Sequence, residues 1–404
     1  MSDTPLSGIR VLDFTWMIAG TMATRPLANL GAQVIKVESR ARVDGMRMGN
    51  IRVGDPTNPD ASVVFNDCNT SKLGMTIDLG RPEGIALVKQ LVAISDVVVN
   101  NFSGTRMERW GLDYEALRAI KPEIVMMQMP VMGTTGPLRD YRGNGPHILA
   151  MLGFNDATGF PDRPPMGTDV AYPDFSANPN HGAFALLAAL HYRQRTGRGQ
   201  YIDLSQIEST AALLGGPLLE YTATGHLIGR TGNADRNHAP HGVYPCAGDD
   251  RWIAIAVTTD GMWRRLRELL GNPDWAQEER FDTVEGRLAA SEELDVALAN
   301  WTHDQDRYEL MERLQSARIA AGVTQDVRDL VEHDEHWRER QLTYLEHPEL
   351  GITATHGEPI RINGQRAELT RSPLLGEHTD YVLREVLRLP DDEVDALYLA
   401  GVLQ

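Results

Sequence analysis

The chain opens with alternating hydrophobic patterns. Residues 8–14 (GIRVLDF) form a short apolar run with β-branched and aromatic members, bounded by glycine and threonine, which predicts a buried strand. Residues 19–31 carry apolar side chains at helical spacing. Pro26 lies inside that stretch, which predicts a kink or a first-turn proline. Residues 32–39 (AQVIKVES) predict a second strand. Strand, helix and strand in so short a span make a βαβ unit, with parallel pairing and a right-handed crossover.

The alternation persists. Helical spacing over 82–95 precedes the apolar strand 96–100 (DVVVN), and a helix over 114–120 precedes the strand 123–130 (EIVMMQMP). This pattern predicts an α/β fold with helices on both faces of a parallel sheet. A long alanine- and leucine-rich helix is expected over 180–195, capped by Asn178 or Asn180 and ended by Gly197. A strand at 201–206 and a helix at 207–214 follow. The stretch 221–245, rich in glycine, asparagine and histidine, is expected to be a linker. A smaller unit begins with the strand 251–257 and includes helices over 262–270 and 291–301. The expected division is therefore 1–220 for a first part of the large domain, 221–322 for a small domain with its linkers, and 323–404 for the return to the large domain.

Charge narrows the partners. The formal net charge of −17 should repel nucleic acid and anionic membrane. Cys68 and Cys246 are the only cysteines, too few for a disulfide framework and consistent with a reducing compartment. No basic segment followed by an apolar one marks the N-terminus, and no long apolar run suggests a span, so the cytoplasm is the expected location.

Absent motifs narrow the chemistry. There is no GxxxxGK[ST] phosphate loop, no GxGxxG ending a first strand, and no GxSxG elbow. His333 and His336 stand at i, i+3, but their neighbourhood is strongly charged and reads as a solvated helix face, so no metal site is expected.

The opening segment LSGIRVLDFTWMIAGTMATRPLANLGAQVIKVES resembles the start of the class III CoA-transferases of the CaiB/BaiF type, the family of formyl-CoA:oxalate and carnitine CoA-transferases. SKLGMTIDL, NFSGTRMERWGL, GTTGP, RTGRGQ, HGVYPC and LGEHT follow in that family's order, so the likeness covers nearly the whole chain. The resemblance implies a Rossmann-like large domain built from both chain ends, a small inserted α+β domain, and an interlocked dimer. A homodimer is expected, with a heterodimer as the alternative. It also implies that CoA is moved from an acyl-CoA, with succinyl-CoA as one donor, to an acceptor carboxylic acid.

Asp174, in AYPDF ahead of the long helix and about 20 residues before TGRGQ, stands where the family's catalytic aspartate stands. A carboxylate can attack a thioester to give a mixed anhydride and CoA thiolate, and then carry CoA itself as a thioester. The positive end of the helix that follows could keep it ionised. The alternative for Asp174 is a capping acid. For CoA the resemblance points to Ile18, Ala19, Ile77, Asn101, Phe102 and Arg109. Arg109 and Arg142 are the expected phosphate contacts. The basic residue after KVE falls at Arg40 rather than directly after the strand. Oxyanion donors are expected from the backbone near 18–20 or 238–242. The second of these loops reads NHAPHGVY where relatives carry more glycine. Trp16, Asn144, His238 and His241 are candidates for the acceptor pocket, and Trp16, Met17 and Met151 for its apolar wall.

Two other functions fit the fold. A 2-methylacyl-CoA racemase needs a general base where this chain has Asn144, with His147 three residues out of register. A non-catalytic subunit of a heteromer would have no need of Asp174.

Overall fold

A computed structural model describes residues 4–49, 51–168 and 170–403. The chain divides into two compact units, one of residues 1–155, 167–228 and 340–404, the other of residues 156–166 and 229–339. The main run of the second unit, 229–339, is displaced toward the C-terminus from 221–322, and the unit also takes the separate segment 156–166. The stretch expected as linker is also more ordered: it contains the end of a helix, Gly215–Thr224, and a whole strand, His241–Pro245.

The first unit is built on six strands, β1 (Arg10–Asp13), β2 (Gln33–Glu38), β3 (Leu73–Thr76), β4 (Val97–Asn100), β5 (Val125–Gln128) and β6 (Gln200–Asp203). All pair in parallel in the order β3-β2-β1-β4-β5-β6. The side-chain period of two sends alternate residues to opposite faces. Val11, Val34, Val97, Val99, Val125 and Met127 pack against α1 (Ala19–Asn29) on one face. Leu12, Ile35, Val98 and Met126 pack against α2 (Pro82–Ala93) on the other, with Val382, Leu383, Val402 and Leu403 from the C-terminal end. That return is bonded to the edge strand: the His378 N–H donates to Gly74 C=O, and the Asp78 N–H to Val402 C=O, both at 2.8 Å.

The strand order reverses between β1 and β4. In open parallel sheets the crevice beyond the strand C-termini at such a reversal is where ligands bind. Here it receives the loops after Asp13 and Asn100. α3 (Tyr114–Ile120) leads into β5, and α4 (Gly145–Met151) follows it. The one-turn α5 (Tyr172–Phe175) then leads into α6 (Ala177–Thr196). Gly197, at φ 69°, ends α6 as expected. Neither Asn178 nor Asn180 caps it, because both lie inside the helix. Pro26 also lies within α1, near its end rather than in its first turn. α7 (Gln206–Ala211) closes this run.

The second unit carries the antiparallel sheet β7 (His241–Pro245), β8 (Trp252–Ala256) and β9 (Ala320–Thr324). Ile253, Ile255, Trp263, Phe281, Leu298 and Leu310 form its own core. Among the described residues no helix is long and apolar enough to cross a membrane.

Candidate active site

At the sheet's reversal point lies a cavity of about 340 Å³, lined by Trp16, Met17, Ile18, Ala19, Asn101, Phe102, Arg142, Asn144 and Asp174, among others. Its walls come from the loop after β1, the loop after β4, the N-terminus of α4 and the α5 turn.

The loop after β1 is fixed from below by ions. Asp13 is fully buried; it accepts from Lys72 Nζ at 2.9 Å and from the hydroxyls of Thr15 and Thr24. Lys36, equally buried, donates to Thr15 C=O at 2.7 Å and stands 2.9 Å from Asp44. Burial opposes the charge on Asp13, but Lys72 and Lys36 with the hydroxyl bonds hold its pKa below the ordinary value. Burial also works against Lys36, and the carboxylates of Asp44, Asp13 and Glu38 overcome it and raise the pKa. For Lys72 burial dominates and brings the pKa down to about 8.

On this base the loop takes a strained shape. Met17 sits at φ 60°, with its N–H given to Asp44 Oδ1 at 2.9 Å. Asn101 grips the residue before it, accepting from Trp16 N–H at 2.9 Å and donating to Trp16 C=O at 2.7 Å. Ile18 and Ala19 then open α1, whose first-turn N–H groups have no intrahelical acceptor.

Asp174 is 6% exposed. Its Oδ2 accepts from Gly145 N–H at 3.0 Å, while buried Oδ1 has no hydrogen-bond partner. The pKa is raised by burial, an effect that the Gly145 N–H and the Asn178 amide only partly offset. Sequence reasoning expected the helix after Asp174 to keep it ionised. Burial is the larger influence, and the bonded N–H comes instead from the start of α4. Gly145 suits that place, because a Cβ there would stand 2.8 Å from Asp174 Oδ2.

A second pocket of about 170 Å³ adjoins the first and is more apolar, with Phe14, Val37, Ile77, Leu79 and Trp110 in its lining. Trp16, Phe102, Arg42 and Arg106 line both. The rings form an edge-to-face series, Trp16 to Phe102 and Phe102 to Trp110, each 5.7 Å between centroids. Arg42 lies over Trp16 at 4.9 Å, and Arg106 over Phe102 and Trp110 at 5.6 Å. Burial lowers the Arg106 pKa, and so do the nearby charges of Arg42, Arg109 and Arg142. Three arginines, Arg42, Arg106 and Arg142, therefore line one cavity of a chain whose net charge is −17, with Arg109 as a further charge near Arg106.

A family model, CoA-transferase family III, matches residues 6–379. The chain belongs to that family. It is 35% identical over 402 residues to the succinyl-CoA–D-citramalate CoA-transferase of Chloroflexus aurantiacus, with 99% of this chain and 98% of that one covered. It is 31% identical to the formyl-CoA:oxalate CoA-transferase of Streptomyces coelicolor, with both chains covered in full. A CAIB/BAIF family protein from Brucella suis, solved by crystallography, superposes with a TM-score of 0.85 at 33% identity, covering 95% of this chain and 99% of that one. This family III CoA-transferase therefore acts on CoA thioesters and carboxylic acids.

The expected site residues of the transferase fall into two groups. Asp174, Trp16, Ile18, Ala19, Asn101, Phe102, Arg142 and Asn144 share the main cavity, and Ile77 lines the adjoining one. Arg40 and Arg109 are exposed and line neither. The chain turns back after β2, with Arg42 N–H bonded to Ser39 C=O, and this brings Arg42 rather than Arg40 to the cavity. Arg106 stacks on the rings, and Arg109 acts on it only as a neighbouring charge. Met17 lines the cavity and Met151 does not. His238 and His241 belong to the second unit, where Nδ1 of one lies 2.8 Å from Asp235 Oδ1 and Nδ1 of the other 2.8 Å from Asn233 C=O. His147 is exposed, with Nδ1 2.6 Å from Asn144 Oδ1. Gln206, Ser103 and Val131 also line the cavity and were not expected from the sequence. Among the described residues no group of three or more His, Cys, Asp or Glu is arranged to hold a metal.

Proposed function

We propose that Asp174 is the nucleophile of a double-displacement CoA transfer, with succinyl-CoA as a donor. The supporting observation is a buried carboxylate on the cavity wall with one oxygen bonded and the other without a hydrogen-bond partner. Oδ1 attacks the thioester carbonyl, the C–S bond breaks, and CoA leaves as thiolate. The product is a mixed anhydride on Asp174. The thiolate attacks Asp174 Cγ and releases the donor acid, leaving CoA on Asp174 as a thioester. The acceptor carboxylate then attacks Cγ, expels the thiolate and forms a second anhydride. Attack of the thiolate on the acceptor acyl carbon gives the new acyl-CoA and restores Asp174. Over the whole cycle one CoA thioester replaces another of similar energy, so no nucleotide hydrolysis is required.

The first-turn N–H groups of α1, beside Ile18 and Ala19, serve as donors to the oxyanion that forms on the thioester carbonyl. The apolar second pocket takes the adenine end of CoA beside Ile77 and Phe102, while Arg42, Arg106 and Arg142 meet its phosphates. Trp16 and Asn144 border the acceptor. The donor assignment follows the succinyl-CoA relative.

The functional assembly we propose is an interlocked homodimer whose large domain draws on both chain ends. Its support is the apolar surface left open on the first unit: Phe184 on α6, Leu219 and Leu227 are each more than 70% exposed.

A matrix of acyl-CoA donors and carboxylic acids, read by mass spectrometry of the thioesters formed, tests the assignment. Exchange of CoA between acids supports it. Exchange of an α-proton of a 2-methylacyl-CoA in deuterated water, without any acceptor, would instead support a racemase.

A further inference from the structure

Met17, on the cavity wall, holds φ 60°, in the left-handed region that a residue with a Cβ disfavours. Glycine takes this conformation freely. A methionine keeps it only where its surroundings over-determine it. The next residue, Ile18, is already right-handed, at φ −99° and ψ −60°, and α1 begins one residue later. Met17 is therefore the joint at which the chain leaving β1 swings into α1, beside the cavity that Ile18 and Ala19 line.

The joint rests on Asp44. Its Oδ1 accepts from Met17 N–H at 2.9 Å and from Met46 N–H at 3.0 Å. The second bond caps the short helical turn Gly45–Met48. Capping alone would suit a residue at the surface, but Asp44 is fully buried. Lys36 Nζ stands 2.9 Å from Oδ2, as an ion pair without the alignment of a hydrogen bond. The same ammonium donates to Thr15 C=O at 2.7 Å, two residues before Met17. The Asp44 N–H donates to Glu38 Oε1 at 3.2 Å, and Arg47 Nε holds that carboxylate at 2.9 Å. Both oxygens and the backbone N–H of Asp44 are thus engaged. Gly45, next in the chain, leaves room for the Met17 side chain, since a Cβ there would stand 2.8 Å from Met17 Sδ. Burying a carboxylate and an ammonium together is costly. The bond to a strained residue is what this buried pair makes and a surface cap could not.

We propose that Asp44, fixed by Lys36, is a positioning residue: it holds Met17 left-handed and so sets the direction of the Ile18 and Ala19 N–H groups for the oxyanion of the thioester. The inference rests on the reading of those groups as oxyanion donors in a transfer through Asp174. Asp44 does not line the cavity, so it acts only through Met17.

The test is a double-mutant cycle in the full-length protein, Asp44→Ala and Met17→Gly singly and together, read by kcat and KM for acyl-CoA, beside Asp174→Asn. Without Asp44 the methionine relaxes out of the left-handed region, and kcat should fall about tenfold, the population factor that a left-handed residue with a Cβ carries. KM for acyl-CoA should change little, because the oxyanion forms only on the way to the transition state. Glycine has no such preference, so in the Met17→Gly background Asp44→Ala should lower kcat by no more than about threefold. An Asp44 that merely stabilised the fold would cost the same in both backgrounds. A folded Asp44→Ala with wild-type kcat, or with a loss that Met17→Gly does not reduce, overturns the role of Asp44 alone when Asp174→Asn is inactive. Full activity in Asp174→Asn overturns the underlying reading. If Asp44→Ala does not fold, Asp44→Asn decides by the same comparison, since its amide gives up the charge that pairs with Lys36. No loss there, or an equal loss in both backgrounds, overturns the proposal.

Discussion

Asn101 holds the backbone of Trp16 through both groups of its amide, at 2.9 Å to the N–H and 2.7 Å to the C=O, and so ties the loop after β1 to the loop after β4 across the sheet's reversal point. Trp16, Met17 and Ile18 face the cavity because of this clamp and the Asp44 bond to Met17. Asn101→Ala removes both bonds at once. The expected outcome is a loss in kcat/KM of about 100-fold and a loss of stability of about 1–3 kcal/mol. Steady-state kinetics and urea titration check the pair.

Gly145→Ala should nearly abolish transfer without unfolding the chain. The added Cβ would stand 2.8 Å from Asp174 Oδ2, so the carboxylate must move off its N–H. A loss of about 100-fold or more in kcat is expected for such a displacement. The thermal midpoint should change little. Kinetics with differential scanning calorimetry would show the contrast.

The arginines should separate by position. Arg106→Ala and Arg42→Ala should each raise KM for acyl-CoA about tenfold or more while leaving KM for the acceptor acid nearly unchanged. Arg40→Ala should do little, since Arg40 lines neither pocket. Arg109→Ala should fall between, because that side chain lines neither pocket and acts on Arg106 as a charge. KM for acyl-CoA should also rise with salt, as the charges are partly open to solvent.

Much of this architecture is legible in the sequence. The runs 97–99 and 125–127 are apolar throughout, as strands buried on both faces tend to be, and Tyr114–Ile120 forms a helix with the expected bounds. Asp174 could be placed only by family likeness, because one aspartate before a helix looks locally like a cap. The cations were harder. Whether Arg40 or Arg42 reaches the cavity depends on a four-residue turn, and side-chain direction after a turn has no period to read. The ionic base was not legible at all. Asp13 and Lys36 lie in runs that read as apolar strands, Lys72 stands beside a strand, Leu73–Thr76, that the pattern did not mark, and only the three-dimensional packing shows that they neutralise one another.

Stability and activity at Asp174 should oppose each other. Its pKa is raised above the ordinary 3.8 by burial. Between the unfolded value and the raised folded value, the folded chain binds more protons than the unfolded one, so stability falls as pH rises through that window. Above the window the cost persists in full. Asp174→Asn should therefore melt at a higher temperature than wild type at neutral pH, and the difference should vanish below the unfolded pKa. Activity runs the other way: it needs the ionised form, so kcat/KM should fall as pH drops through a value above 3.8.

The Asp13–Lys72 pair should be essential to the fold. Asp13→Asn leaves Lys72 buried with its main counter-charge gone. A loss of about 3–5 kcal/mol is expected for breaking a buried pair on one side. Denaturant unfolding measures it, and the chymotrypsin sensitivity of the loop after β1, at Phe14 and Trp16, should rise in parallel.

The most direct measurement is the mass of the protein after incubation with acyl-CoA, with and without hydroxylamine, followed by mapping of the peptide that carries Asp174. A hydroxylamine-sensitive acyl or CoA adduct on that aspartate, absent from Asp174→Asn, is the predicted result. An adduct on another residue, or CoA exchange between acids at the wild-type rate in Asp174→Asn, would contradict it.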